Sequence, residues 1–348
     1  MFCIRKHIAR PRYLIFRRFV QQSTKESLLT PSFNVDDIRD LPYKDSVDLS
    51  WKYLEPYKAK VDKSRTPVLF LHGLFGSISS FNKTGRSLSE ETHSPVYGVD
   101  LRNHGNSPHA LPFTYSIMAY DIFKFITERN WKNCILIGHS MGAKVAAIVS
   151  LLYPDLVSKL VLIDNTPHSK PLDIQFYKDL IGMCEVEANA SEFKDEDGHG
   201  IKDFAAVGKF LAKYEPDEKA RSLLVSNLLR SKKDLKGGSH YDIKKEMFKL
   251  PVMNFYKYDV LDTVAGWPSL SNIKKFKKPV MVISAKKSGF VLPEYHEEFL
   301  KYFDDVTFKE MDCGHWIQAE KREELVETLT GFIGKPIRTH TRKKPRFH

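Results

Sequence analysis

Short, continuous apolar runs recur along the chain and alternate with longer stretches in which apolar residues return every three or four positions. A short apolar run bounded by polar turns is typical of a strand that is buried on both faces of a sheet, and the longer period is typical of an amphipathic helix. With an N-terminal partner strand that the pattern does not locate, the runs predict an α/β fold: a mostly parallel eight-stranded sheet with helices on both faces. The predicted strands lie at 47–53, 67–71, 95–99, 134–137, 159–163, 280–284 and 306–311.

Strand signals disappear between residues 166 and 273, where the helical period takes over. We expect a helical lid at about 168–270, inserted between the sixth and seventh strands, where it would exclude water and shape a pocket. Its predicted helices lie at 173–183, 200–212, 217–229 and 244–264. Some of its aromatic residues are candidates for the pocket wall, although packing among the helices themselves is the favoured explanation for most of them: Phe176, Phe193, Phe204, Phe248, Phe255 and Tyr256.

Charge is unevenly distributed along the chain. Of the formal net charge of +11, residues 1–25 and 335–348 hold 13 basic side chains and no acid, which leaves −2 for residues 26–334. The body is therefore nearly neutral, and its charge gives no reason to predict nucleic-acid binding. We expect 40–334 to be the folded domain and 335–348 to be a disordered basic tail.

The N-terminal segment is rich in arginine, free of acid up to Glu26 and interspersed with apolar residues. This composition is typical of a mitochondrial presequence, which predicts residues 1–26 as a transit peptide and a location in the mitochondrial matrix; a basic arm on a cytosolic protein is the alternative.

The sequence contains no run of 18 apolar residues that would predict a membrane-spanning helix. The four cysteines show neither metal-ligand spacing nor a disulfide framework, and we expect no cofactor and no metal. Oligomeric state is not predicted.

The most specific motif is Gly138-His139-Ser140-Met141-Gly142, which lies between a predicted buried strand and a predicted helix. A serine hydroxyl becomes a useful nucleophile when it is exposed, aimed and hydrogen-bonded to a base. A sharp strand-to-helix turn with small flanking residues provides this exposure, so Ser140 is the predicted nucleophile. The alternative is a Gly-Ser turn that only links the two elements.

A glycine-rich turn, His72-Gly73-Leu74-Phe75-Gly76, follows the strand at 67–71. We expect the backbone N–H groups of Leu74 and Met141 to form an oxyanion hole, which would stabilise negative charge that develops on a substrate carbonyl oxygen. His72 could be read as a base, but a structural role beneath the loop is the favoured interpretation.

The base and the acid are predicted from their positions after strands. His315 lies on the loop that follows the last strand, and this order, serine before histidine, is the one found in α/β-hydrolases. Most such enzymes carry the acid after the strand at 280–284, where this chain has Ser288 instead. Asp164, at the end of the strand at 159–163, is preferred over Asp312 and Glu294 because a triad is defined by geometry and role. The alternative is that Asp164 only caps the lid.

These segments resemble mitochondrial α/β-hydrolases of the abhydrolase-domain family, a group that includes yeast ethanol acetyltransferases and small bacterial serine esterases. The resemblance covers about 68–332 and rests on five segments in particular: 72–77, 100–109, 118–121, 138–144 and 163–167, with 223–228 and 266–268 as further matches. It implies that the acid follows the strand after the nucleophile, as Asp164 does. It also implies that 100–105 is a turn whose charged groups brace loops.

Together the motifs predict a serine hydrolase that cleaves short or medium acyl esters or thioesters, including acyl-CoA, through an acyl-enzyme intermediate. An alcohol acetyltransferase that makes ethyl acetate from acetyl-CoA and ethanol would use the same residues and is the main alternative. A carbon–carbon bond hydrolase and a non-catalytic binding protein are further alternatives. An epoxide or haloalkane hydrolase is excluded because it would need an aspartate at position 140.

Overall fold

A computed structural model describes residues 45–195, 201–229, 246–270 and 273–336. The predicted presequence and all but the first two residues of the predicted tail lie outside these residues. Within the described part, no helix is long and apolar enough to cross a membrane.

A seven-stranded sheet forms the centre of the described fold, with the order β1-β3-β2-β4-β5-β6-β7. Only β1 runs antiparallel to its neighbour, β3; the other pairs are parallel. The strands are β1 (Trp51–Tyr53), β2 (Val68–Leu71), β3 (Val96–Val99), β4 (Cys134–His139), β5 (Val157–Ile163), β6 (Val280–Ala285) and β7 (Val306–Met311). All seven strands that the sequence located are present, and the N-terminal partner strand that it did not locate is not among the described residues.

The central strands are apolar without interruption because both faces of the sheet are covered. Leu69 and Leu136 point into a core shared with the insertion, whereas Phe70 and Ile137, one position along, point into the opposite core. This strict alternation buries every residue of β2 and β4.

Helices cover both faces. Outside the insertion they are α1 (Asn82–Thr92), α2 (Tyr115–Glu128), α3 (Met141–Leu152), α10 (His296–Leu300), α11 (Ile317–Glu320) and α12 (Arg322–Ile333). A buried ion pair between Arg102 and Asp121, whose Nε and Oδ2 atoms lie 2.6 Å apart, joins the loop after β3 to α2. The backbone carbonyl oxygen of Asp45 accepts a further hydrogen bond from the same guanidinium.

The segment between β5 and β6 is helical where it is described. Its helices are α4 (Ile174–Ala188), α5 (Ala190–Phe193), α6 (Phe204–Leu211), α7 (Glu218–Ser226), α8 (Val252–Lys257) and α9 (Val260–Ala265). Asp173, Asp203 and Asp217 accept hydrogen bonds from the first turns of α4, α6 and α7, which explains where these helices begin. The predicted helix at 244–264 is instead α8 and α9, because Asp259 adopts a left-handed conformation (φ 48°) between them.

Candidate active site

Ser140 lies at the joint between β4 and α3. Its φ of 54° and ψ of −120° are disfavoured for a non-glycine residue, and such strain is typical of functional turns. The Ser140 N–H donates to the Ile163 carbonyl oxygen at 2.8 Å, which ties the turn to the end of β5. The strand-to-helix context predicted from the sequence is therefore confirmed.

The two flanking glycines permit close backbone contacts. A Cβ on Gly142 would lie 2.5 Å from the Leu71 carbonyl oxygen, and one on Gly138 would lie 2.2 Å from the Gly142 carbonyl oxygen. Any larger residue would push α3 away from the end of β2. A Cβ on Gly73 would lie 3.0 Å from the Ser140 Cβ, so the glycine-rich loop after β2 lies directly beside the serine.

Asp164 and His315 form a short hydrogen bond although 151 positions separate them in the chain. His315 Nδ1 lies 2.7 Å from Asp164 Oδ2, and the carboxylate is fully buried. Because a carboxylate can only accept, Nδ1 carries the proton and Nε2 presents a free lone pair. Nε2 is buried and has no hydrogen-bond partner among the described residues. A base held in this tautomer can take a proton from a nearby hydroxyl.

The other Asp164 oxygen is also fully used. Oδ1 accepts a hydrogen bond from the Ala285 N–H at 3.0 Å and from the Ser288 hydroxyl at 2.9 Å. Ser288 occupies the position after β6 at which most α/β-hydrolases carry their acid. Here it donates a hydrogen bond to Asp164, which follows the neighbouring strand β5.

The two competing acid candidates lie elsewhere. Asp312 forms a surface ion pair with Lys287 at 3.1 Å and has a 68% exposed side chain. Its ion pair lowers the pKa of Asp312 below its usual value. Glu294 is exposed in a short 3₁₀ helix before α10. The geometry therefore brings Asp164, and neither of these residues, against His315.

The two predicted oxyanion donors, Leu74 and Met141, flank this arrangement. Met141 is the first residue of α3, so its N–H has no acceptor within the helix. Among the described residues neither the Leu74 nor the Met141 N–H donates a hydrogen bond. Met141 directly follows Ser140, and Leu74 directly follows Gly73, where an added Cβ would lie 3.0 Å from the Ser140 Cβ, so two free backbone donors lie near the serine, as an oxyanion hole requires.

His72 has the structural position favoured by the sequence. Leu101 donates its N–H to His72 Nε2 at 2.9 Å, so Nδ1 carries the proton and donates to the Gly73 carbonyl oxygen at 2.9 Å. Burial lowers the pKa of His72, which keeps the ring neutral.

His139, the residue before the nucleophile, anchors the histidine loop. Its Nε2 donates to the His315 carbonyl oxygen at 2.8 Å, and the two rings lie 4.8 Å apart. Burial, with a smaller contribution from His315, lowers the pKa of His139 to about 3, so this ring too is neutral. The sequence motif alone does not show that His139 anchors the loop of His315, because any residue type can occupy this position of the motif.

Aromatic rings enclose the His315 imidazole. Phe290 stacks on it with centroids 4.3 Å apart, and Phe176 of α4 meets it edge-on at 6.3 Å. Among the predicted pocket aromatics, Phe176 thus lies against this histidine. Phe193, Phe248 and Phe255 are buried in the core, and two others pack against the core from half-buried positions: Phe204 and Tyr256. Phe290 was missed, since no sequence signal separates it from other loop aromatics.

Within the described residues, no group of three or more histidine, cysteine, aspartate or glutamate side chains is arranged to hold a metal ion.

Comparison with known proteins agrees with this geometry. The alpha/beta hydrolase fold family matches residues 66–182. An abhydrolase domain-containing protein of Schizosaccharomyces pombe is 33% identical over 280 residues, which cover 80% of this chain and 96% of that protein. The chain belongs to the α/β-hydrolase family. Relatives named ethanol acetyltransferase are among the proteins that it resembles.

Other α/β-hydrolases match over most of the chain. Ethanol acetyltransferase 1 of Kluyveromyces marxianus is 31% identical over 319 residues, covering 87% of this chain and 85% of that one. Ethanol acetyltransferase 1 of Wickerhamomyces anomalus is 32% identical over 300 residues, covering 82% and 74%. The structure of a marine microorganism esterase superposes with a TM-score of 0.68 at 23% identity, covering 82% of this chain and all of that one; this likeness shows the fold.

Proposed function

We propose that this α/β-hydrolase is a serine enzyme that cleaves short or medium acyl esters or thioesters through an acyl-enzyme on Ser140. The observation that carries the proposal is the His315–Asp164 hydrogen bond of 2.7 Å, which leaves His315 Nε2 as a buried free base near a serine at a strained turn.

The reaction follows from the roles that the geometry allows. His315 Nε2 takes the proton as Ser140 Oγ attacks the acyl carbonyl, and the buried Asp164 carboxylate stabilises the imidazolium that forms. The N–H groups of Leu74 and Met141 hold the negative oxygen, each worth about 3 kcal/mol in the transition state. His315 then returns the proton to the leaving alkoxide or thiolate, which leaves an ester on Ser140.

The second candidate is transfer of the acyl group to an alcohol. It is favoured by the relatives named ethanol acetyltransferase, which match this chain over more than four fifths of its length. Hydrolysis and transfer share every residue described and differ in which nucleophile, water or alcohol, reaches the acyl-enzyme first. Acetyl-CoA and ethanol are the substrates of this alternative.

Product analysis separates the two. Purified protein is given acetyl-CoA with and without ethanol, and acetate, free CoA and ethyl acetate are measured beside a Ser140→Ala variant. Ser140-dependent acetate that is insensitive to ethanol supports the hydrolase. Ethyl acetate well above the level of the variant makes transfer the function, and products equal in both proteins would contradict an acyl-enzyme on Ser140.

We also propose a mitochondrial location, with 1–26 as a cleaved presequence and 335–348 as a basic tail. The support is the acid-free, arginine-rich composition of the first 25 residues. Import of the full chain into isolated mitochondria, lost when residues 1–26 are deleted, is the expected result; import without them would contradict it.

A further inference from the structure

The residue after Leu74 has a backbone that needs support. Phe75 has a φ of 59°, a left-handed conformation that is unusual for a bulky residue. Its side chain is buried, and its ring lies 6.4 Å from that of Phe176 in the insertion. Because Leu74 precedes it directly, the direction of the Leu74 N–H depends on how this stretch is held.

Three side chains hold the peptide groups around Leu74. His72 Nδ1 donates to the Gly73 carbonyl oxygen at 2.9 Å on one side. On the other side the Phe75 N–H donates to His104 Nε2 at 3.3 Å, and the Phe75 carbonyl oxygen accepts from Asn227 Nδ2 at 2.7 Å. His104 can accept because burial lowers its pKa well below the usual value.

Asn227 comes from the helical insertion, 152 positions from Phe75 along the chain. It is 2% exposed and caps the end of α7, where Nδ2 also donates to the Leu223 carbonyl oxygen at 3.0 Å. Both neighbours of this amide nitrogen are carbonyl oxygens, which fixes the orientation of the amide. The backbone carbonyl oxygen of Asn227 accepts a hydrogen bond from the Lys249 N–H at 2.7 Å, so both the main chain and the side chain of the residue are held.

We infer that Asn227 is a positioning residue for the oxyanion hole, so that the insertion contributes to transition-state stabilisation without touching the substrate. The inference rests on the proposed function, because it assigns to Leu74 the role of an oxyanion donor. Loss of the bond to the Phe75 carbonyl would let the disfavoured φ relax and turn the Leu74 N–H away from the oxyanion. Binding of the ground-state substrate does not depend on this N–H.

The test uses the full chain and two substitutions. Asn227→Leu replaces the amide with an apolar side chain of similar size, and Asn227→Asp keeps the shape but removes the donor. We expect kcat for 4-nitrophenyl acetate to fall at least about tenfold, part of the ~10²–10³-fold cost of losing an oxyanion donor, while KM changes less than about twofold. Affinity for a trifluoromethyl ketone, which binds as a tetrahedral oxyanion, falls by the same factor as kcat.

Asn189 offers a matched control. It also lies in the insertion, follows the end of α4, and donates Nδ2 to a helix carbonyl, that of Glu185, at 2.7 Å. Asn189→Leu and Asn189→Asp remove the same kind of bond away from Phe75, so kcat and inhibitor affinity stay near the wild-type values. Thermal midpoints and near-ultraviolet circular dichroism of all four variants report folding.

The outcomes are distinguishable. Wild-type protein without Ser140-dependent turnover would overturn the proposed function and the inference with it. Ser140-dependent turnover with unchanged kcat in a folded Asn227 variant, or equal loss in the Asn189 variants, would overturn the positioning role alone. If neither Asn227 variant folds, His104→Gln, which keeps an acceptor for the Phe75 N–H, is compared with His104→Leu; equal kcat in the two would overturn the inference.

Discussion

At the scale of single residues, Asp164 and Ser288 show an exchange of roles between two neighbouring strands. The acid stands after β5, and the serine after β6 donates a hydrogen bond to it. The carboxyl ends of parallel strands meet at one edge of the sheet, so either strand can present a carboxylate to His315.

Substitution of these two residues tests the exchange. Asp164→Asn is expected to lower kcat by about 10³–10⁴-fold, because an amide favours the wrong tautomer of His315. Ser288→Ala removes one of the two hydrogen bonds to Oδ1 and is expected to lower kcat about tenfold, because a hydrogen bond to a charged group is worth about 1.5 kcal/mol at the low end of its range. Steady-state kinetics with a far-ultraviolet circular dichroism check measures both. Wild-type kcat in Asp164→Asn would show that another group orients His315.

The residues that could be predicted are those whose local context is distinctive. Ser140 lies in a strand–turn–helix motif, and His315 follows the last strand; both contexts are visible in the sequence. Phe290 and Asn227 could not be predicted, because their importance comes from contacts with residues 25 and 152 positions away. Such contacts depend on how segments that are distant in the chain pack together, which no local pattern encodes.

At the scale of elements, α3 links the nucleophile to the insertion through Lys144. Its Nζ is buried and donates to the carbonyl oxygens of Ala265 at 3.1 Å and Gly266 at 2.8 Å, at the end of α9. A cation at a helix C-terminus is favourable, but burial lowers the pKa of Lys144 to about 7.

The pH dependence of stability follows from that shift. Between about pH 7 and 10 the folded chain has released a proton that the unfolded chain still binds, so the free energy of unfolding rises with pH. Relative to Lys144→Met, the wild-type protein is expected to gain about 1.4 kcal/mol per pH unit in this range. Urea unfolding of both proteins at several pH values measures the difference. Parallel curves would show that the helix carbonyls keep Lys144 charged.

Element boundaries were predicted less well than element types. The strand at 306–311 matches β7, whereas the helix expected at 244–264 is α8 and α9. The periodicity of apolar residues continues through Asp259, but the backbone turns there (φ 48°) so that both short helices pack on the core. The apolar period shows which side of a helix is buried. It does not reveal a break in the helix when the segments on both sides of the break bury the same side.

At the scale of the whole molecule, the α/β architecture and its seven described strands followed from the apolar runs, because a sheet covered on both faces leaves a strong signal. The eighth strand, an N-terminal partner that no pattern located, is not among the described residues.

The +11 net charge resides in the two ends of the chain, so the near-neutral body that holds Ser140 is compatible with a small uncharged acyl group.

The central claim is that Ser140 becomes covalently acylated, and a fluorophosphonate probe tests it most directly. The probe is added to wild-type protein, to Ser140→Ala and to Ser150→Ala, a matched change of another buried serine on α3. Mass spectrometry of the intact protein and its peptides then locates the adduct. We expect one adduct per chain on Ser140 in the wild type and in Ser150→Ala, and no adduct in Ser140→Ala. An equal adduct in Ser140→Ala, or no adduct in folded wild-type protein, would contradict it.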